Sequence, residues 1–109
     1  MKTIFLFSLI TTAISCNQKA TNGKTLVVDV RSKEIWKQGH ACNGVNIPLP
    51  ELEKHKAEIL NYDTVIFVCE TGQSAQQATS YMNAQKENEK HIETVFKNGI
   101  SWTNYQTCP

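Results

Sequence analysis

The order of strand-like and helix-like segments predicts an α/β fold, a small parallel sheet with helices on both faces. Three observations carry that expectation. Short β-branched runs, beginning with Leu26-Val-Val-Asp-Val30, alternate with helix-forming stretches from residue 24 onward, the order that builds a parallel sheet. One such run, residues 64–68, breaks directly into Cys69 and a glycine-bearing turn before a helical segment. The chain's 109 residues, 40% of them hydrophobic, suit one globular core.

Taken in order, residues 26–30 form the first strand. Ser32 caps a short helix through Gln38, which Gly39-His40 ends. Val45-Asn-Ile47 makes a second strand. Pro50 opens a helix at its first turn, with Leu52, Ile59 and Leu60 at roughly helical spacing. After the third strand at 64–68, a helix over 74–85 turns Ala75, Ala78 and either Tyr81 or Met82 inward. Thr94-Val-Phe96 forms the fourth strand, ahead of Ile100-Ser-Trp102 and a terminal helix.

The first residues stand apart from this pattern. Met1-Lys-Thr-Ile-Phe-Leu-Phe-Ser-Leu-Ile10 is a basic start followed by an apolar run, then small residues, the layout of a secretory signal. It is shorter than the roughly 20 apolar residues of a transmembrane helix. Its end at Ser15-Cys16 resembles the lipobox of bacterial lipoproteins, in which the cysteine becomes the acylated mature N-terminus. Ala13 stands where that motif usually has leucine, and the other reading is a signal peptide cut elsewhere with Cys16 incidental. The expected organisation is a signal peptide at 1–15, a lipidated polar tether at 16–23 and one domain at 24–109. That places the protein in a bacterial cell envelope, facing the periplasm or exterior, with the lipid anchor on Cys16 as its membrane contact.

Charge and cysteine usage exclude several classes. The net charge is +1, and the lysines are scattered among glutamates without a run, so nucleic acid is not expected as a partner. The four cysteines contain no Cys-x-x-Cys pair, and His40, His55 and His91 are spread along the chain as surface or turn residues. No metal site and no cofactor is expected.

Cys69 carries the candidate chemistry. A strand that breaks into a tight loop and then a helix aims loop N–H groups and the positive end of the helix dipole at whatever sits first in the loop. Such a field favours an anion, so Cys69 can be held as a thiolate, the nucleophilic form of cysteine. In parallel sheets reactive groups gather at the carboxyl ends of the strands, where Cys69 falls. The plain alternative is a buried strand-end cysteine that only packs.

Several ordered motifs identify a family. Leu26-Val-Val-Asp-Val-Arg-Ser32, with Trp36 and Gly39-His-Ala-Cys-Asn-Gly-Val-Asn-Ile-Pro48, resembles the opening signature of rhodanese domains, a D-x-R strand end and a G-H-I-P-G-A-x-N-I-P turn. Cys69-Glu-Thr-Gly72 matches the family's C-R-x-G-x-R-S active loop at cysteine and glycine, and Asn98-Gly-Ile-Ser-Trp102 resembles its closing G-G-x-x-x-W. The resemblance spans residues 24–105. It implies sulfane-sulfur transfer: Cys69 is the nucleophile that becomes a persulfide, and Glu70, Thr71, Gly72, Gln73 and Ser74 cradle the sulfur. A small-molecule or protein sulfur donor and a thiol acceptor are then the partners, and a monomer is expected. Asp29 and Arg31 organise the fold through hydrogen bonds, Trp36 and Trp102 are core or rim packing, and Asn43 takes the place of a turn glycine in a left-handed conformation.

The departures from the pattern bear on substrate. Glu70 stands where the family has an arginine, and no arginine lies between Gly72 and Ala75. An acidic neighbour opposes an anionic donor, which makes thiosulfate a doubtful substrate. Ser74 either replaces the loop's second arginine or is the loop's serine after a one-residue deletion, and the helix phase of Ala78 and Tyr81 favours the deletion. A second reading therefore stays open, a degenerate module that binds a partner or serves as a redox thiol without sulfur turnover. A cysteine phosphatase or arsenate reductase is set aside, because the sixth residue after Cys69 is Ala75 and not an anion-gripping arginine.

Chain direction assigns the remaining cysteines. In a parallel sheet the helix after the first strand returns the chain to the amino edge, which leaves Cys42 there and Cys69 at the opposite edge. A terminal helix after the fourth strand delivers Cys108 to the same edge as Cys42, so with Cys16 acylated and Cys69 kept free a Cys42–Cys108 disulfide is expected; the alternative, Cys42 as a resolving thiol for Cys69, is disfavoured by their opposite edges. Closing a loop of about 65 residues contributes roughly 4 kcal/mol in the chain-entropy account.

Overall fold

A computed structural model describes residues 21–89 and 91–105. The expected signal peptide, the expected acylation site Cys16 and the expected disulfide partner Cys108 lie outside the described residues. Four strands, β1 (Thr21–Asp29), β2 (Gly44–Asn46), β3 (Tyr62–Val68) and β4 (Val95–Asn98), form one sheet in the order β2-β1-β3-β4. Every pairing is parallel. Between them lie α1 (Lys33–Trp36), a 3₁₀ helix (Leu49–His55) running into α2 (Lys56–Ile59), and α3 (Gln73–Glu87). A 3₁₀ turn over Trp102–Asn104 follows β4. The α/β class with a small parallel sheet is thus the observed one.

Boundaries differ from the sequence expectation where tertiary contacts outweigh local signals. β1 starts at Thr21, inside the stretch read as a polar tether, because Thr21 pairs with Tyr62. The pairing shifts register between Thr21 and Thr25 before running regularly to Asp29 opposite Val68. The helix expected from Pro50 is mostly 3₁₀, becoming α-helical only at Lys56. The short helix over 32–38 contracts to Lys33–Trp36, capped as expected by the Ser32 hydroxyl, which accepts from the Ile35 N–H at 3.3 Å.

The core follows from strand alternation. Leu26, Val28 and Val30 of the first strand region and Val65, Phe67 and Cys69 of the third point to one face. Phe96, Leu52, Ile59, Ala75, Ala78 and Met82 close over them. On α3 the buried set is Ala75, Ala78 and Met82, so Met82 fills the inward position and Tyr81 is half-buried against the core. The small alanines let α3 lie close on the sheet. Thr94, fully buried, ties the return of the chain: its hydroxyl donates to the Leu60 and Tyr62 carbonyls at 3.1 and 2.6 Å.

Sheet register sets the site. With Asp29 opposite Val68, the next residues along the same edge place Arg31 across from Glu70 and Val30 beside Cys69, and the Val30 N–H donates to the Val68 carbonyl at 3.0 Å. The carboxyl ends of β1 and β3 therefore meet side by side.

Candidate active site

Cys69 is the first residue after β3 and is 3% exposed. Its backbone is fixed by Trp102, whose N–H donates to the Cys69 carbonyl at 3.1 Å. Gly99 donates its N–H to the Phe67 carbonyl, so the segment 99–102 runs as a strap along the end of β3. From Cys69 the chain arches over three residues and enters α3. Gly72 is the N-cap with φ +94°, a backbone conformation that side chains oppose. A Cβ there would also lie 3.3 Å from the Gly99 carbonyl oxygen. This turn aims the Gly72 N–H at the Cys69 Sγ, 2.9 Å away.

The other residues expected in the cradle take different places. Thr71 is exposed, with its hydroxyl 3.4 Å from the Gln73 N–H. Gln73 and Ser74 are the first residues of α3, so the arch proper is Glu70-Thr71-Gly72. Glu70 turns back toward β1, where its Oε1 accepts from Arg31 Nη1 at 3.2 Å.

Arg31 is the chain's one arginine, and its side chain is 7% exposed. Its Nε and Nη2 grip the carboxylate of Asp29 at 2.9 and 2.7 Å, and Nη2 also donates to the Gly39 carbonyl at 2.7 Å. Asp29 accepts in addition from the Arg31 backbone N–H at 3.0 Å. The hydrogen bonds that Arg31 donates to the Asp29 carboxylate hold its guanidinium above its already high ordinary range, against the opposing pull of burial. The guanidinium carbon lies 4.8 Å from the centre of the Trp102 ring. Gly39 makes room for that ring: a Cβ at Gly39 would sit 3.0 Å from Trp102 Cη2.

Arg31 thus bonds to Asp29 at the end of its own strand and to Glu70 in the loop after Cys69. The loop motif gives no sign of the contact with Glu70; the one signal in the sequence is a lone arginine just past the strand that adjoins β3. Asn46 was missed as well. Its side-chain amide donates to the carbonyls of Asp29 and Arg31 at 3.1 and 2.9 Å, locking the ends of β1 and β2 together. Trp36 stacks on His40 with ring centres 4.1 Å apart, at the rim and not in the core. Asn43 adopts φ +67°, the left-handed turn expected of it. Cys42 lies just ahead of β2, on the amino side of the sheet, and is not a free thiol.

Two cavities, of about 370 and 290 Å³, lie away from Cys69. One is lined by Leu60, Asn61, His91, Ile92 and Glu93 and the other by residues of the 3₁₀ helix and α3, including Leu52 and Tyr81. No cluster suited to a metal ion occurs among the described residues, and no described helix is long and apolar enough to cross a membrane.

Comparison with known proteins agrees with this fold. The family described as Rhodanese-like domain matches residues 12–104. A Bacillus subtilis (strain 168) protein named "Putative sulfur carrier protein YrkF" is 30% identical over 87 residues, which cover 79% of this chain and 46% of that protein. The chain thus aligns with less than half of that relative's length.

Proposed function

The chain belongs to the rhodanese-like domain family, and on that premise we propose that it transfers sulfane sulfur through a persulfide on Cys69. The observation that carries this reading is the Gly72 N–H aimed at the Sγ from 2.9 Å, a donor placed to steady negative charge on that sulfur. In the proposed step the Cys69 thiolate attacks the outer sulfur of a donor persulfide, R–S–SH. A new S–S bond forms at Cys69, the donor's S–S bond breaks, and its electron pair leaves on the thiolate R–S⁻ while the proton stays with the transferred sulfur. An acceptor thiolate then takes the outer sulfur by the same exchange.

Thiosulfate is the weaker donor in this proposal. Its two negative charges would meet Glu70, and Arg31 is already shared between Asp29 and Glu70. A neutral or thiol-borne persulfide carries no such penalty. The name of the Bacillus subtilis relative, a sulfur carrier, supports a role in which the sulfur rests on the protein between partners.

The proposal includes a setting. The leader and Ser15-Cys16 support export and acylation, so that a monomeric domain works from a lipid anchor at the outer side of a bacterial membrane. The position of Cys42 ahead of β2 supports its pairing with Cys108, which leaves Cys69 for chemistry.

Mass spectrometry of the protein after exposure to a thiol persulfide tests the central claim. One added sulfur on the Cys69 peptide, released by a thiol acceptor, is the expected result. A Cys69 that never gains sulfur would leave the binding or redox-thiol reading in its place. Fractionation of Cys16→Ser protein tests the anchor, with loss of membrane association expected, and a peptide map under oxidising conditions tests the Cys42–Cys108 link.

A further inference from the structure

Resting on the proposed sulfur transfer, we propose that the rim of the Cys69 loop is a docking surface for a basic polypeptide that carries its sulfane sulfur on a cysteine flanked by lysine or arginine. Two exposed side chains define the surface. Glu70 is 68% exposed, and only its Oε1 is engaged, by Arg31. Ile100 is likewise 68% exposed, and its backbone packs beside Gly72, where a Cβ would meet Ile100 Cα and O at 3.4 Å. The acid and the apolar residue thus sit on the arch and on the strap that borders it, and the two segments meet at Gly72, whose N–H contacts the sulfur.

Charge complementarity selects the partner. The one guanidinium at the site faces two carboxylates, Asp29 and Glu70, so a negative charge is left over. Asp29 is buried and closed to a partner, which leaves Glu70 as the charge an incoming molecule meets. A carboxylate at the rim attracts a cationic surface and repels an anionic one, chiefly through the rate of encounter. An exposed acid on the arch and an exposed apolar residue on the bordering strap suit the broad contact of a polypeptide.

The experiment uses the full chain and two synthetic peptides, each with one cysteine persulfide, one flanked by lysines and the other by glutamates. Sulfur transfer to Cys69 is followed by mass spectrometry at low and high salt. The lysine peptide is expected to react about fivefold faster at low salt, an advantage lost when salt screens the charges. Glu70→Gln is the decisive variant, because its amide oxygen can still accept from Arg31 while the charge is gone; it should bring the two peptides to equal rates. Ile100→Ser should slow both peptides and leave their ratio unchanged.

A second measurement separates this inference from the proposed function. Cationic and anionic alkyl methanethiosulfonates each form a disulfide with Cys69 and release methanesulfinate, whether or not the protein transfers sulfur. The Cys69 peptide should be labelled faster by the cationic reagent, relative to labelling of the unfolded chain, and Glu70→Gln should abolish the difference. Equal labelling in the unmutated protein, equal use of the two peptides, or a preference that survives Glu70→Gln would overturn the acidic rim. Preserved charge selectivity with no transfer from either peptide would overturn the sulfur-transfer reading, and with it the assignment of the partner as a sulfur carrier.

Discussion

The neighbouring strands β1 and β3 end side by side and end differently. At the end of β1, Asp29 and Arg31 are buried, and their carboxylate and guanidinium are joined by several hydrogen bonds and backed by Asn46, Gly39 and Trp102. At the end of β3, Cys69 is buried, but the arch that follows exposes Glu70 and Thr71 and holds the sulfur through one N–H from Gly72. One end is a fixed platform and the other carries the proposed chemistry. Among the described residues, the side-chain link between them runs from Arg31 to Glu70. A reactive loop needs little internal bonding when the strand beside it is locked, because the neighbour supplies the rigidity.

The comparison is broken most completely at the sulfur. Cys69→Ser should abolish sulfur transfer, since a hydroxyl at that position is a far weaker nucleophile. Cys42→Ser, on the amino side of β2, should retain most of it below the unfolding temperature. Single-turnover transfer from a thiol persulfide checks both.

Breaking the platform should show as lost stability. Asp29→Ala leaves the Arg31 guanidinium buried without its main partner, which costs about 3–5 kcal/mol. The contribution arises from a buried pair and not from an exposed one, so it should persist at high salt. Urea unfolding at two salt concentrations measures it, and a loss below about 1 kcal/mol, the range of exposed pairs, would mean that the platform is not what fixes the end of β1.

Gly72→Ala strikes the arch itself. A φ of +94° strains a side-chain-bearing residue by about 1–2 kcal/mol, and the added Cβ crowds the Gly99 carbonyl and Ile100. Relief by rotating the peptide would carry the N–H away from Sγ. The expected signature is a modest drop in stability with a larger fractional loss of transfer rate, whereas equal effects on both would show that the N–H contact has no part in the reaction.

Much of this division was legible in the sequence. The strand-then-cysteine break at Val68 and Cys69, the inward row of Ala75 and Ala78, and Asn43 in a glycine's place follow from local periodicity and turn chemistry. The choice between Tyr81 and Met82 did not, because both lie near the inward stripe and only packing against the sheet decides. The 3₁₀ character of Leu49–His55 was hidden for a similar reason. Proline opens a 3₁₀ helix as readily as an α-helix, and the winding is set by what the segment must cover. The Arg31–Glu70 link was out of reach of motif reasoning because its partners are 39 residues apart and meet only through the parallel register of β1 with β3. It also revises the loop's electrostatics. Glu70 does not face the sulfur as an isolated acid, because its charge is shared with Arg31.

That link should be the weakest in thermodynamic terms, and measuring it sharpens the contrast between the two strand ends. Glu70 is largely in water, so its pair with Arg31 gains little Coulomb energy and loses side-chain freedom, the balance that limits exposed ion pairs to about 0–1 kcal/mol. Glu70→Gln keeps an acceptor for Arg31 Nη1 and should lower stability by less than about 1 kcal/mol, shrinking further as salt is added. Glu70→Arg should cost more than Glu70→Gln at low salt, since a second guanidinium would then face Arg31, and added salt should narrow the gap between the two variants. Urea unfolding of both at low and high salt makes the check. A loss for Glu70→Gln comparable to that for Asp29→Ala would place Glu70 within the platform, and the division between a locked β1 end and a lightly held β3 end would fail.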